Sequence, residues 1–216
     1  MKKAFTLAEV LITLGIIGVV AALVMPGFML HHRKKMTALH TKRFYSLMSN
    51  AIKMSEIDNG PIDEWELPEA RNAAEDLIWM RKYIQPYLKV RYIGTMHWTH
   101  YCTALPLFRL PDESVFGCAM NYNPIGPIYC VYVPKPKGII AGYVIEANGT
   151  NGKDVFWFEL SNTAPGQTGN RVFQAPTGGF SGCTDVKGLA QGEGKGCVRL
   201  LMENNWDFPA NYPIKF

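Results

Sequence analysis

A long apolar run near the N-terminus constrains this chain more than any other feature. Two lysines precede Ala4, and the only ionisable side chain within residues 5–30 is that of Glu9. Residues 10–30 supply about the 20 apolar residues that a membrane-spanning helix requires. A charge inside a bilayer costs roughly 3 kcal/mol on insertion scales, and less near the end of a span. Because a simple membrane anchor gains nothing from this cost, the carboxylate of Glu9 indicates that the segment has a functional role.

Two ordinary interpretations of this run compete with a functional one. A cleaved secretory signal has the same basic start, and Val-Ala-Ala at residues 20–22 resembles a small-residue cleavage site. The run continues to Leu30, however, and a carboxylate is unusual in an apolar signal core. A plain membrane anchor explains the length but leaves Glu9 unexplained. The flanking charges do not settle the orientation, because residues 33–35 are as basic as the N-terminal start.

Residues 3–12, with the sequence KAFTLAEVLI, resemble the N-terminal processing and methylation motif of type IV prepilins and type II secretion pseudopilins. The resemblance implies that a prepilin peptidase cleaves between Ala4 and Phe5 and that the new N-terminus, Phe5, is methylated. Members of that family usually have Gly where this chain has Ala4. Glu9 matches the family's glutamate, and Pro26 matches the proline that kinks or melts the stalk helix in many members.

The resemblance implies a structural subunit of a type IV pilus or a type II secretion pseudopilus, and not an enzyme. Such a subunit crosses the inner (cytoplasmic) membrane once with its head exported, and then joins a helical filament in the periplasm or at the cell surface. The implied partners are like subunits, other pilins or pseudopilins, the prepilin peptidase, the inner-membrane assembly platform and membrane lipid, with no nucleic acid. Pairing Glu9 with the amino group of Phe5 in a neighbouring subunit would offset the desolvation of both charges and set the axial register.

The rest of the chain predicts an α+β fold. Helical spacing continues past the basic residues as an amphipathic stripe, and Asn59-Gly60-Pro61 is typical of a helix end. A second helix is predicted over residues 69–84, with Ala73, Leu77 and Ile78 on its packed face, and a short closing helix over residues 198–203. The predicted strands are residues 115–122, 128–133, 139–146 and 155–160. We expect the long helix to pack on a small antiparallel sheet whose consecutive strands are neighbours, as in pilin-like heads.

This pattern divides the chain into four parts. Residues 1–4 are the predicted leader peptide, and residues 5–30 the transmembrane or filament-core helix. Residues 31–60 are the amphipathic stalk helix, and residues 61–216 the globular α+β head. The net charge of +4 is concentrated at the basic start and at residues 33–43, which fits membrane flanks better than a nucleic-acid surface.

The five cysteines all lie in the head, where export would permit disulfides. Cys183 and Cys197 enclose a Gly-rich loop, and bridging them would stabilise the fold by about 3 kcal/mol in the chain-entropy model. Cys102 and Cys118 are a second candidate pair, with Cys130 left over. Alternatively, Cys118 and Cys130 are small buried apolar residues, and the spacing alone leaves the choice open.

One loop suggests a calcium site. Residues 146–156 resemble a loop of many bacterial pseudopilin-like proteins, in which an acidic residue, Asn-Gly and a later Gly-x-Asp-Val-Phe join two strands. The possible oxygen ligands are Glu146, Asn148, Asn151 and Asp154. Only two of them are carboxylates, which favours a Gly-rich hairpin whose polar side chains bond their own backbone. No other cofactor is expected.

Two rival functions remain open. An adhesive or DNA-uptake minor pilin would present a basic or aromatic strip on its exposed head. A membrane-anchored enzyme would need a nucleophile–base pair or a metal group in a cleft. Ser181 fails the last position of the hydrolase elbow pattern, and the adjacent acids Glu75 and Asp76 fit a solvated helix face better than acid–base work.

Overall fold

The computed structural model describes residues 6–68, 72–98, 102–120, 128–136, 144–145, 152–162, 171–176, 183, 196–214 and 216. The helices are α1 (Leu7–Asn59), α2 (Ala73–Tyr83) and α3 (Cys197–Glu203), and two short 3-10 turns lie at Ile62–Glu64 and Gln85–Tyr87. The strands are β1 (Arg91–Trp98), β2 (Cys102–Arg109), β3 (Val115–Met120), β4 (Ile128–Val133), β5 (Val144–Ile145), β6 (Phe156–Asn162) and β7 (Arg171–Gln174). The protein is therefore an α+β fold with its long N-terminal helix packed on a sheet, as the sequence predicts.

Local signals set both ends of α1. Thr6 is the N-cap residue, and Gly60 leaves the helix with φ +78°, a conformation that favours glycine. Pro61 then cannot continue the helix. The helix is unbroken across Pro26, so it contains no melted segment there, and a kink at this proline stays a prediction.

The described sheet has the strand order β5-β1-β2-β3-β4-β6-β7. Every residue of β3 and β4 is buried, and the two strands pair in register from Val115↔Val133 to Met120↔Ile128. Alternate side chains enter two apolar clusters, with Phe116 on the α1 side and Val115 on the opposite side. Apolar side chains are therefore buried on both faces of the sheet.

The number and order of the strands differ from the prediction. The described part of the third predicted strand, β5, does not lie beside β4 but pairs in parallel with β1, where His97 lies opposite Val144. Sequence patterns also missed β1, β2 and β7. Gly94 in β1 and Pro106 in β2 are residue types depleted from strands, and β1 contains register irregularities beside Gly94.

Phe44 is the centre of the contact between α1 and the sheet. Its ring stacks on Tyr132 with a centroid distance of 4.2 Å and an interplanar angle of 7°. It also contacts Phe116 and Phe158, with centroid distances of 5.2 and 5.4 Å. Aromatic pairs at these distances stabilise beyond the area they bury, so this cluster fixes α1 on the sheet.

The helix α2 packs mainly with residues outside the predicted face, although Leu77, on that face, also packs against the core. It begins at Ala73 because the side chain of Asn72 accepts hydrogen bonds from the next turn. Ile78, on the predicted face, is 60% exposed. The buried residues of α2 are Asp76, Trp79, Met80 and Tyr83. Large aromatic rings decide the orientation, since Tyr83 stacks on Trp65 with a centroid distance of 4.6 Å.

Two disulfide bonds cross-link the head. The predicted bridge between Cys183 and Cys197 is present. The other bridge joins Cys118 to Cys130, so the predicted Cys102–Cys118 pair is wrong, and so is the alternative of unpaired buried thiols. Cys118 and Cys130 lie directly opposite each other on β3 and β4, with Cα atoms 4.1 Å apart. The backbone of Cys102 instead pairs with β1.

Candidate functional site

The first part of α1, residues 7–30, is an apolar surface that the head does not cover. We call it the membrane-length segment. Its large apolar side chains are between 40% and 79% exposed, whereas the buried residues of α1 begin only at Thr37. The helix is long and apolar enough to cross a membrane. A bilayer or a set of neighbouring apolar helices would remove this surface from water.

Glu9 forms a capping box with Thr6 at the start of this segment. The backbone N–H and the hydroxyl of Thr6 donate to Glu9 Oε2 at 2.8 and 2.9 Å, and the backbone N–H of Glu9 donates to the Thr6 hydroxyl at 3.3 Å. The box satisfies two backbone N–H groups that have no partner inside the helix. The signal was present in the sequence as Thr-x-x-Glu, and the sequence interpretation missed it.

The predicted processing residues, Ala4 and Phe5, lie outside the described residues. The contact predicted between Glu9 and an amino group of Phe5 joins two subunits, and it stays a prediction. Within the described part of the chain, Glu9 has no cationic partner, and its Oε2 atom accepts both of its hydrogen bonds from Thr6.

The end of the chain lies against the basic residues that follow the membrane-length segment. The ring of Phe216 lies 5.9 Å from the guanidinium of Arg33 and 5.4 Å from the ammonium of Lys34. It also packs against Phe208, with ring centroids 4.6 Å apart. Phe216 therefore anchors the C-terminal tail and holds it to α1 through cation–π contacts.

The predicted calcium residues fall mostly outside the structural description. Glu146, Asn148 and Asn151 are not among the described residues. Asp154 is described, and its Oδ1 accepts a hydrogen bond of 2.8 Å from Arg33. No group of three or more His, Cys, Asp or Glu residues able to hold a metal ion occurs in the described part of the chain. Calcium binding by this loop stays a prediction.

Gly152, in the same loop, packs closely against Cys197 of the Cys183–Cys197 disulfide. Its φ of +60° lies in the left-handed region, and a Cβ there would overlap the side chain of Cys197. Its carbonyl accepts a hydrogen bond of 2.5 Å from the Tyr212 hydroxyl. Burial raises the pKa of Tyr212, which keeps the hydroxyl protonated as a donor.

The turn between β2 and β3 holds α1 at a second point. Asp112 Oδ2 lies 3.2 Å from His40 Nδ1 and 3.9 Å from Arg43. Ser114 donates to Asp112 Oδ1 through its backbone N–H and its hydroxyl, at 3.2 and 2.6 Å. Burial acts to raise the pKa of Asp112, but the hydrogen bonds from Ser114 and His40 outweigh it and hold the pKa below its ordinary value.

The buried acid Asp76 was not recognised from the sequence, which placed it on a solvated face. It is 3% exposed, and its Oδ1 accepts a hydrogen bond of 3.1 Å from the backbone N–H of Met120 in β3. Burial raises the pKa of Asp76 to about 7, more than the bond from Met120 lowers it. The hydrogen bond from Met120 joins α2 to the sheet.

Fold and site together define a class: an α+β head carried by one helix that is able to cross a membrane. A model of the family of unknown function DUF6613 matches residues 27–216, and the chain belongs to this family. The match covers the docked part of α1 and the whole head. No curated protein and no solved structure shows a significant match to the chain.

Proposed function

We propose that this chain is a prepilin-like structural subunit that assembles through α1 into the filament of a type IV pilus or a type II secretion pseudopilus. The observation that carries the proposal is the division of one unbroken helix, in which residues 7–30 are uncovered and the following turns pack on the sheet. Lipid would cover the apolar surface before assembly, and the helices of neighbouring subunits would cover it afterwards.

The proposed location is the cytoplasmic membrane, spanned once, with the head exported. The two disulfides of the head support export, because disulfides persist in oxidising compartments. The resemblance of residues 3–12 to the prepilin motif supports cleavage between Ala4 and Phe5 by a prepilin peptidase, followed by handling at the inner-membrane assembly platform.

The proposed register contact joins Glu9 of one subunit to the amino group of Phe5 in the next. The capping box offers a rival explanation, because Thr6 and Glu9 satisfy the helix start without a second subunit. The two explanations require different properties of Glu9. A register contact needs a negative charge, whereas a capping box needs only a hydrogen-bond acceptor, which Gln also supplies.

Three variants separate these explanations. Glu9→Gln keeps the cap acceptor and removes the charge, Thr6→Ala removes the reciprocal cap and keeps the charge, and Glu9→Ala removes both. We expect both Glu9 variants to enter the membrane but to lose filament incorporation by more than about tenfold, since breaking a buried ion pair costs about 3–5 kcal/mol. Thr6→Ala should still assemble.

The measurements are membrane fractionation for insertion and quantification of sheared filaments for assembly. Normal incorporation of Glu9→Gln would refute the register contact. Mass spectrometry of the mature N-terminus tests the wider proposal: a species that begins with methylated Phe5 supports it, and a species that begins near Leu23 indicates a cleaved secretory signal.

A further inference from the structure

A shallow basic pocket lies on the head, where β1 begins and the chain turns from β2 to β3. Its volume is about 420 Å³. Its lining includes the cations Lys89, Arg91 and Arg109, the acid Glu113, and the apolar side chains of Leu110 and Pro111. None of the residues that line the pocket belongs to α1.

The arrangement of charges around this pocket destabilises the sheet. Arg91 and Arg109 lie directly opposite each other on β1 and β2, and like charges in that position destabilise a sheet. Arg109 donates to Glu113 at 2.9 Å. Neither Arg91 nor Lys89 has an acidic partner in the part of the chain that the structure describes.

Arg109 also has unused hydrogen-bonding capacity. Its side chain is 28% exposed, and its Nε atom is buried without a hydrogen-bond partner among the described residues. A buried donor without an acceptor is unfavourable, but solvent does not reach Nε, so an oxyanion in the pocket would contact only the exposed part of the Arg109 guanidinium. Asp112, the other acid of this turn, is already bonded to His40 and Ser114.

We propose that this pocket binds a phosphate monoester. Guanidinium groups bind phosphate oxygens through paired hydrogen bonds. Three cations and the carboxylate of Glu113 leave a local charge of about +2, which matches a phosphate dianion. The pocket is larger than a phosphate ion, and the exposed ring of Pro111 offers an apolar contact to a small organic group.

The position of the pocket favours a soluble ester over a lipid headgroup. Asp112, in the same turn, contacts His40, which lies ten residues beyond the last apolar residue of the membrane-length segment, Leu30. Ten helical residues span about 15 Å. The headgroup layer extends only about 5–8 Å beyond the hydrocarbon on each side, so the turn lies above it if the membrane surface meets α1 at Leu30.

The test is thermal unfolding of the full chain in a neutral detergent, with inorganic phosphate or phenyl phosphate compared against sodium chloride at equal ionic strength. We expect both phosphates to raise the midpoint, with phenyl phosphate effective at lower concentration. Without phosphate, Arg91→Gln should raise the midpoint, because it relieves the repulsion between Arg91 and Arg109. The same variant should need at least about tenfold more phosphate for the same rise in midpoint as the wild type. Lys53→Gln, which removes an exposed cation from α1, should change neither quantity.

The opposite signs of the two effects of Arg91→Gln distinguish a binding site from an ordinary surface arginine. Arg91 is exposed, so this variant keeps the test decisive even if the more buried Arg109→Gln fails to fold. An unchanged wild-type midpoint in both phosphates, or an equal response in wild type and Arg91→Gln, overturns the proposal. A response to vesicles containing phosphatidic acid but not to phenyl phosphate overturns the assignment to a soluble ester.

Discussion

The two parts of α1 belong to one helix and have opposite surroundings. In residues 7–30 the large apolar side chains surround the helix and are at least 40% exposed. From Thr37 onward the apolar residues form a stripe, and the buried ones include Phe44 and Met48. One unbroken helix therefore serves two environments. The distribution of apolar residues around it decides whether the head or another apolar phase covers each part, and in lipid a helix satisfies its own backbone hydrogen bonds.

Removing one phenyl ring from each part should give the largest contrast. Phe44→Ala should lower the free energy of unfolding of the head by about 3–5 kcal/mol, since it removes the buried centre of an aromatic cluster. Phe28→Ala, at a side chain that is 66% exposed, should change it by less than about 0.5 kcal/mol. Denaturant unfolding in detergent, followed by tryptophan fluorescence, measures both. Equal losses would show that the two parts of α1 do not differ in packing.

The disulfides should matter for the head and not for the membrane-length segment. Cys183→Ala opens a bridge between residues 14 apart, which should cost about 3 kcal/mol in the chain-entropy model. Unfolding of the head and membrane fractionation should be compared for this variant. Loss of membrane insertion together with head stability would contradict the independence of the two parts.

Asp76 makes the head, and not the membrane-length segment, sensitive to pH. Its pKa is raised from 3.8 to about 7, so the native state binds a proton that the unfolded chain releases. Stability from this group is complete below about pH 4 and is lost as the pH rises through about 7, a change on the order of 2–4 kcal/mol. Asp76→Asn, which keeps an acceptor for Met120, should flatten this part of the stability profile. An unchanged slope between pH 4 and pH 7 would show that Asp76 is not the group responsible.

Removing an ion pair at the junction between the two parts of α1 should give the smallest change in the free energy of unfolding. Arg33 and Asp154 form an ion pair at 2.8 Å, but their side chains are 40% and 43% exposed. Asp154→Asn should therefore cost less than about 1 kcal/mol, and the loss should shrink further at high salt. A calcium titration of the same variant adds a second measurement. Calcium that stabilises the wild type and not Asp154→Asn would support the predicted calcium loop.

Local sequence signals were sufficient for the elements that a few consecutive residues define. The end of α1 at Asn59, the bounds of β4 and the short helix α3 agree with the predictions, because caps, turn residues and side-chain periodicity act over one or two turns. The apolar run and Glu9 are also local features of the sequence, whereas the assembly role assigned to Glu9 stays a prediction. The capping box at Thr6 was equally local and was overlooked.

Those local signals could not predict contacts between residues that are distant in the sequence. Cys118 pairs with Cys130 because strand register places them opposite each other, and Asp76 is buried because the rings of Trp79 and Tyr83 turn α2 toward the core. The opposition of Arg91 and Arg109 follows from the same kind of register.

The sequence alone determined that this chain carries one membrane-length helix with an acid in its first turn, joined to an α+β head. The tertiary structure decided which cysteines pair, which face of α2 is buried and where three cations converge. The physical reason is range: helix periodicity and capping depend on neighbours a few residues away, whereas strand register and packing depend on which distant residues fit together.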